Sequence, residues 1–204
     1  DVDVYPLLPP APGTPSDLDG HEYAGGTERE IAILFADMRE FTSFSERRLP
    51  YDVVFLLNQY SDAMGRAIER AGGYPNQFVG DGIMALFGVD DPQDATLNAV
   101  RAGLAMLDVV EQSIRPYFEA IYARTFDIGV GIHYGEAVVG TIGARNRKMQ
   151  TAIGDSVNFA SRIDSVSVDK TDVRTNGLDL FQVELDAGVV RRVFVGTSLN
   201  LCMR

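Results

Sequence analysis

The sequence predicts an α+β domain built on a βαββαβ core, and three observations carry that reading. Ile31, Ala32, Ile33, Leu34, Phe35 and Ala36 form a short continuous apolar run, the pattern of a strand buried on both faces. Two stretches, at about 51–71 and from Asp91 to about 120, repeat apolar residues at helical spacing. Short strand-like runs at about 74–79, 83–87 and 125–133 follow them. Strand, helix, strand, strand, helix, strand is the split βαβ, or ferredoxin-like, arrangement.

Each element has a local cause. Residues 1–27 read as a linker, because Pro6, Pro9, Pro10, Pro12 and Pro15 crowd together ahead of Gly20, Gly25 and Gly26. The domain is expected over 28–204. In the first helix Val53, Leu57, Tyr60, Met64, Ile68 and Ala71 mark one face, and Gly72 and Gly73 end it. Gly80, Asp81 and Gly82 form a tight turn between the second and third strands. Asp91 and Pro92 read as the cap and first turn of the second helix, with Ala95, Ala99, Ala102, Met106 and Val109 on its inner face. A hairpin at about 137–153, a helix at about 155–165 and a strand pair at about 180–196 extend the core.

Composition narrows the function. The chain has 204 residues, which fits one domain with flanking segments, and 46% are hydrophobic, enough for a real core. A net charge of −11 argues against nucleic acid or an anionic membrane as a partner. A protein this acidic that handles a polyphosphate needs local positive charge, and bound metal ions supply it. A single cysteine, Cys202, excludes an internal disulfide framework and a cysteine-based zinc site, and permits a reducing compartment. No run reaches membrane-spanning length and no signal-peptide pattern is present. The chain opens at Asp1, the pattern of a piece of a longer protein. A cytoplasmic domain is expected, with a sensor or regulatory domain tethered to it, in a full-length protein either soluble or membrane-tethered.

The topology gathers two acids. The first strand ends at Asp37, and the crossover helix makes the second strand run parallel to the first. The turn after that strand carries Asp81, and the strand after the turn lies beside strand one. Asp37 and Asp81 are therefore expected as neighbours at one rim of the sheet. Alone, Asp37 reads equally as a helix cap and Asp81 as a turn residue. As a pair they suit Mg²⁺, a hard cation that takes few carboxylates and leaves room for phosphate oxygens.

Four ordered motifs then carry a resemblance. Leu34-Phe35-Ala36-Asp37-Met38-Arg39-Glu40-Phe41-Thr42 resembles the metal-binding opening strand of class III adenylate and guanylate cyclases. Phe78 to Gly88 resembles that family's hairpin with its second metal aspartate, and Gly131 to Glu136 its mid-domain strand and turn. Ile153 to Arg162 resembles its late helix with the catalytic Asn and Arg, so the match spans about 28–166. The resemblance implies conversion of ATP to 3′,5′-cyclic AMP and pyrophosphate, with guanylate cyclase or dual specificity as the alternative. It implies a head-to-tail homodimer with sites at the subunit interface. One subunit would give Asp37 and Asp81 to two Mg²⁺ ions, with Mn²⁺ as a substitute and the Met38 carbonyl assisting. Backbone amides near Phe41 and Thr42 would meet the phosphates. The other subunit would give Asn158 and Arg162, with Gln77 and Thr151 reading the base.

The chain also departs from the family pattern. Adenylate cyclases commonly read adenine with Lys and Asp, and guanylate cyclases read guanine with Glu and Cys, where this chain has Gln77 and Thr151. Gly129 stands where some members carry a phosphate-binding Arg. No residue of the last hairpin clearly matches the family's phosphate-binding Lys, for which Arg191 or Arg192 could stand in if they are not simply surface charge, and Ser165 to Gly177 is short for the usual helix and strand. His133 reads as a hydrogen-bonded core or interface residue, Asp155 as a helix cap, and Glu40 and Glu136 as residues of exposed turns. Two other readings stay open: a cyclase-homology domain that only binds nucleotide or dimerises, and another palm-type nucleotidyl transferase such as a diguanylate cyclase. The second acid sits in Gly80-Asp81-Gly82, not in the Gly-Gly-acid-acid-Phe signature of the latter.

Overall fold

The apolar run at 31–36 is the buried centre of a longer strand in the computed structural model, which describes residues 26–144, 147–164, 181–184 and 190–197. Strand β1 spans Thr27–Met38. Its alternate residues face opposite ways, as a strand's must. Ala32, Leu34, Ala36 and Met38 enter one core cluster; Ile31 and Ile33 enter a second on the other face. Helix α1 (Phe41–Ser45) follows, then α2 (Pro50–Arg70), β2 (Tyr74–Val79) and β3 (Gly82–Phe87). The second helical stretch contains α3 (Ala95–Val109), a π-helical turn at Val110–Ile114 and α4 (Arg115–Tyr122). The chain continues through β4 (Ile128–Ala144), β5 (Arg147–Ile153), α5 (Asp155–Asp164), β6 (Phe181–Glu184) and β7 (Val190–Thr197).

The strand order is β2-β3-β1-β4-β7-β6, with β5 paired to β4 off that path. β1 is antiparallel to both β3 and β4, and β2 is antiparallel to β3, so β2 runs parallel to β1 as expected. Helices α2, α3 and α4 cover one face, burying Leu56, Tyr60, Met64, Ile68, Ala99, Met106 and Phe118. Helix α5 covers part of the other face through Ala160, against Ile31, Ile33 and Leu86. Gly72, at φ 77, supplies the left-handed turn that ends α2.

Four expectations are corrected. The second helix begins at Ala95, with Asp94 in the left-handed region; Asp91 instead accepts from the Gln93 N–H at 2.9 Å, a local Asx turn. That helix is not continuous to 120. Pro116 has no N–H and its ring crowds the carbonyl four residues back, and the π turn sits directly ahead of it. Val110 is fully buried there while Val109 is only partly so. The chain makes no turn at Gly135–Glu136, because β4 runs unbroken through it. The glycine serves close packing instead: a Cβ at 135 would lie 2.6 Å from Ser156 Oγ and 3.2 Å from His133 Nε2. Finally, α5 starts with Asp155 in its first turn, and the Gly154 carbonyl takes the N–H groups of Val157 and Asn158. Asp155 favours the helix through its charge there rather than as the cap.

The linker over 1–25, Ser165 to Gly177, the side chains of Arg191 and Arg192, and Cys202 lie outside the described residues. No described helix is long and apolar enough to cross a membrane.

Candidate active site

Asp37 is the penultimate residue of β1, opposite Gly129 of β4. Asp81 sits in the turn between β2 and β3, where Gly80 takes φ 62. Ala36 pairs with Ile83, so one step further along brings Asp37 beside that turn. Burial first, then hydrogen bonding to Asp37 and its charge, push the Asp81 carboxyl up to about 6. The Asp81 and Met38 N–H groups pull it the other way, and no cationic side chain is among the groups that perturb it. Tyr60 lies fully buried nearby, and burial with both aspartates pushes its hydroxyl far above its ordinary range. It therefore stays neutral.

Two facing carboxylates at a strand end and a hairpin turn suit a hard divalent ion. Among the described residues no cluster of three or more acid, His or Cys side chains exists for a metal. An ion held here would draw on the two acids and the backbone, which would leave positions for phosphate oxygens.

A second pair is also assembled. Gln77, on β2, donates from Nε2 to Thr151 Oγ1 at 3.5 Å. Thr151, on β5, donates to Asn76 Oδ1 at 2.9 Å. Asn76 in turn donates to the Gln150 carbonyl. Asn76 and Thr151 are each only 6% exposed, so this chain of bonds holds the pair in one geometry. Sequence reading missed Asn76. The available signal was Pro75, which cannot donate to a ladder; the β2–β3 register shifts between Pro75 and Gln77.

The remaining residues are placed but not gathered. Asn158 and Arg162 are exposed and four apart on α5, hence on one helix face. Neither is among the groups that perturb Asp81. Phe41 and Thr42 open α1, immediately past the carboxylate rim. Met38 is buried, with its N–H turned to Asp81. His133 is buried and stacks on Phe159 of α5, centroids 4.6 Å apart. Glu136 is exposed on β4.

A sheet of this order, with an acid pair at one rim and a polar late helix, defines the catalytic-domain class of nucleotide cyclases. Residues 24–176 match the family described as the adenylate and guanylate cyclase catalytic domain, and the chain belongs to that family. It is 37% identical over 153 residues to an adenylate cyclase of Anabaena cylindrica, covering 75% of this chain and 30% of that protein. An adenylate cyclase of Rhizobium meliloti is 36% identical over 146 residues, 69% of this chain and 21% of that one. The chain thus spans about a third or less of these relatives. Among solved structures, the guanylyl cyclase Cya2 aligns with a TM-score of 0.65 at 39% identity, over 69% of this chain and 72% of that one. The adenylyl cyclase CyaB from P. aeruginosa aligns with a TM-score of 0.63 at 32% identity, over 68% and 72%.

Proposed function

We propose that this domain converts ATP to 3′,5′-cyclic AMP and pyrophosphate at sites shared between two copies of the chain. The observation that carries the reading is the Asp37–Asp81 pair, two carboxyl groups brought together at one rim of the sheet. In the reaction the ribose 3′-oxygen bonds to the α-phosphorus and the bond from that phosphorus to the bridging oxygen breaks. The bridging oxygen leaves with the pyrophosphate and the electron pair, and the hydroxyl proton passes to solvent.

Asp37 and Asp81 would hold two Mg²⁺ ions. Bound there, such ions acidify the 3′-hydroxyl and neutralise charge on the phosphates. The first residues of α1, Phe41 and Thr42, offer backbone N–H groups to phosphate oxygens. Arg162 of the second copy presents a planar, permanently charged fork to the crowded phosphorus. Asn158, four residues earlier, holds the ribose in attack geometry.

The second copy follows from what one chain leaves open. Asn158 and Arg162 face solvent, and large apolar side chains stand exposed nearby in the fold: Val138, Ile142, Met149 and Ile153 on the β4–β5 hairpin, Phe78 and Val79 on β2. Patches of this kind mark association surfaces.

The base is assigned from the polar chain around Thr151. With its amide nitrogen held toward Thr151, Gln77 has its carbonyl oxygen left to accept from a base. Adenine presents an amino group at the matching edge, where guanine presents an oxygen. The 39% identity to a guanylyl cyclase favours GTP as the second reading. A product assay with ATP and GTP side by side, in Mg²⁺ and in Mn²⁺, tests both. Excess cyclic AMP is expected; excess cyclic GMP selects the second reading, and no cyclic nucleotide from either would overturn both.

A further inference from the structure

The rim that receives a triphosphate carries two carboxylates, in a chain of net charge −11. Like charges repel, so the polyphosphate needs a nearby positive wall in addition to any ion between the acids. The structure has one. Beyond the carboxylate rim lies a cavity of about 270 Å³, walled by Arg39, Glu40 and Phe41 on one side and by Phe118, Arg124 and Phe126 on the other. Whole-ligand pockets run roughly 300–1,000 Å³, so this one suits a part of a ligand.

Its walls include the continuation of β1 and the segment that leads into β4, the two strands paired at Asp37. Asp37 and Met38 lie opposite Gly129 and Ile128. Arg39 is the next residue on one strand; Arg124 to Asp127 lead into the other. The approach segment is pinned. Arg39 N–H donates to the Asp127 carbonyl at 2.9 Å. Arg115 Nε donates to the Phe126 carbonyl at 3.2 Å, and its guanidinium pairs with the Asp127 carboxylate. Phe126 is buried, its ring 4.8 Å from that of Phe118. Ala123, left-handed at φ 50, turns the chain out of α4 directly before Arg124. Of the acids here, Asp127 is engaged by Arg115, and Glu40 is exposed on the wall. Arg124 is exposed at the cavity on a segment that does not need to be ordered on binding.

We propose that Arg124, with Arg39, binds the terminal phosphates of the nucleoside triphosphate and retains the departing pyrophosphate in this cavity. The assignment rests on the cyclase reading for its substrate, and its geometry stands on the two arginines. A guanidinium fork matches paired phosphate oxygens and keeps its charge at all working pH values.

The test uses Arg124→Ala and Arg124→Lys, with Arg101→Ala, an exposed arginine of α3, as a control for bulk charge. Two measurements are made: calorimetric titration of tripolyphosphate in the presence of Mg²⁺, and steady-state cyclase kinetics with pyrophosphate or adenosine as inhibitor. Loss of a charge-assisted contact weakens binding by roughly ten- to a hundredfold. Arg124→Ala is expected to lose that much affinity for tripolyphosphate and pyrophosphate, and to raise the KM for ATP more than it lowers kcat. Adenosine, which has no phosphate, should inhibit as before; Arg124→Lys should recover part of the loss and Arg101→Ala should change little. Unchanged tripolyphosphate affinity in Arg124→Ala, an equal loss in Arg101→Ala, or no binding to the unaltered protein would overturn the assignment. If neither ATP nor GTP is cyclised but tripolyphosphate binding still depends on Arg124, the cyclase reading fails and the phosphate site stands.

Discussion

The carboxylate rim and the outer face of α5 differ in how finished they are. At the rim, one chain supplies both acids, the turn that aligns them, a neutral buried tyrosine beneath and an arginine-walled cavity beyond. On α5 the same chain supplies two exposed side chains at helical spacing, and neither is among the groups that perturb Asp81. On the proposed reading the two regions have complementary roles, each rim being completed by another copy's helix. The difference is that the rim is fixed by pairing inside one sheet, whereas on that reading α5 acts through association.

The strongest way to break this contrast is at the rim. Asp37→Ala and Asp81→Ala are each expected to reduce turnover to background while far-ultraviolet circular dichroism stays unchanged, because both ions share both acids. Near-normal product formation in either variant would remove the metal assignment. Next in size is complementation. Asp37→Ala and Arg162→Ala chains should each be inactive alone. Mixed at equal concentration, they should regain about a quarter of normal activity, since half the dimers are mixed and one of their two sites is intact. No recovery in proven heterodimers would mean that each site lies within a single chain.

Smaller shifts sharpen the picture at the base-reading pair. Gln77→Lys with Thr151→Asp should raise the kcat/KM ratio for ATP over GTP by roughly ten- to a hundredfold, the worth of one or two well-placed hydrogen bonds. Gln77→Glu should move the ratio the other way. Asn76→Ala should bring the ATP and GTP values closer together and cost about 1–3 kcal/mol of stability, because Thr151 loses its buried acceptor. An unchanged ratio in all three would show that these side chains do not touch the base.

The smallest effect is in pH. Asp81 is pushed up to about 6, so the folded protein keeps a proton that the unfolded chain releases near its usual carboxylate range. Between those values the folded state holds this proton more tightly than the unfolded chain, so the Asp81 contribution to stability falls as pH rises through that window. In chelator, Tm should decline from about pH 4 to about pH 6, and the decline should be weaker in Asp81→Asn. Mg²⁺ should raise Tm above the window and not below it, because proton and cation compete for the same oxygens. A flat profile in chelator would mean that the Asp81 carboxyl is not raised in the folded protein.

The rim was legible from sequence because its causes are local. An apolar run ending in an acid, and an acid between two glycines in a hairpin, are each visible within a few residues, and the handedness of the crossover brings them together. Gln77 and Thr151 were legible as positions, but Asn76 was not, because its inward turn comes from a register shift next to Pro75. Gly135 was misread as a turn. Its reason lies on α5, where Ser156 leaves no room for a Cβ, and a contact between residues far apart in sequence leaves no local mark. The π turn had a mark, Pro116, but sequence periodicity alone does not tell a shifted helix from a straight one. The cavity at Arg124 was invisible for the same reason as Gly135: its two walls meet only because β1 and β4 pair.

That β4 is a single strand from Ile128 to Ala144 has a consequence for how this domain can change length. Its early residues lie beside Asp37, and its later ones carry the partner strand of Thr151. Along such a ribbon the sidedness of every residue is a matter of parity. Adding or removing one residue between Val130 and Val139 would exchange inside for outside along everything downstream, sending Thr151 away from Gln77. Two residues would restore the sides while lengthening the ribbon by about 7 Å. Relatives that vary in this stretch should therefore do so in even steps.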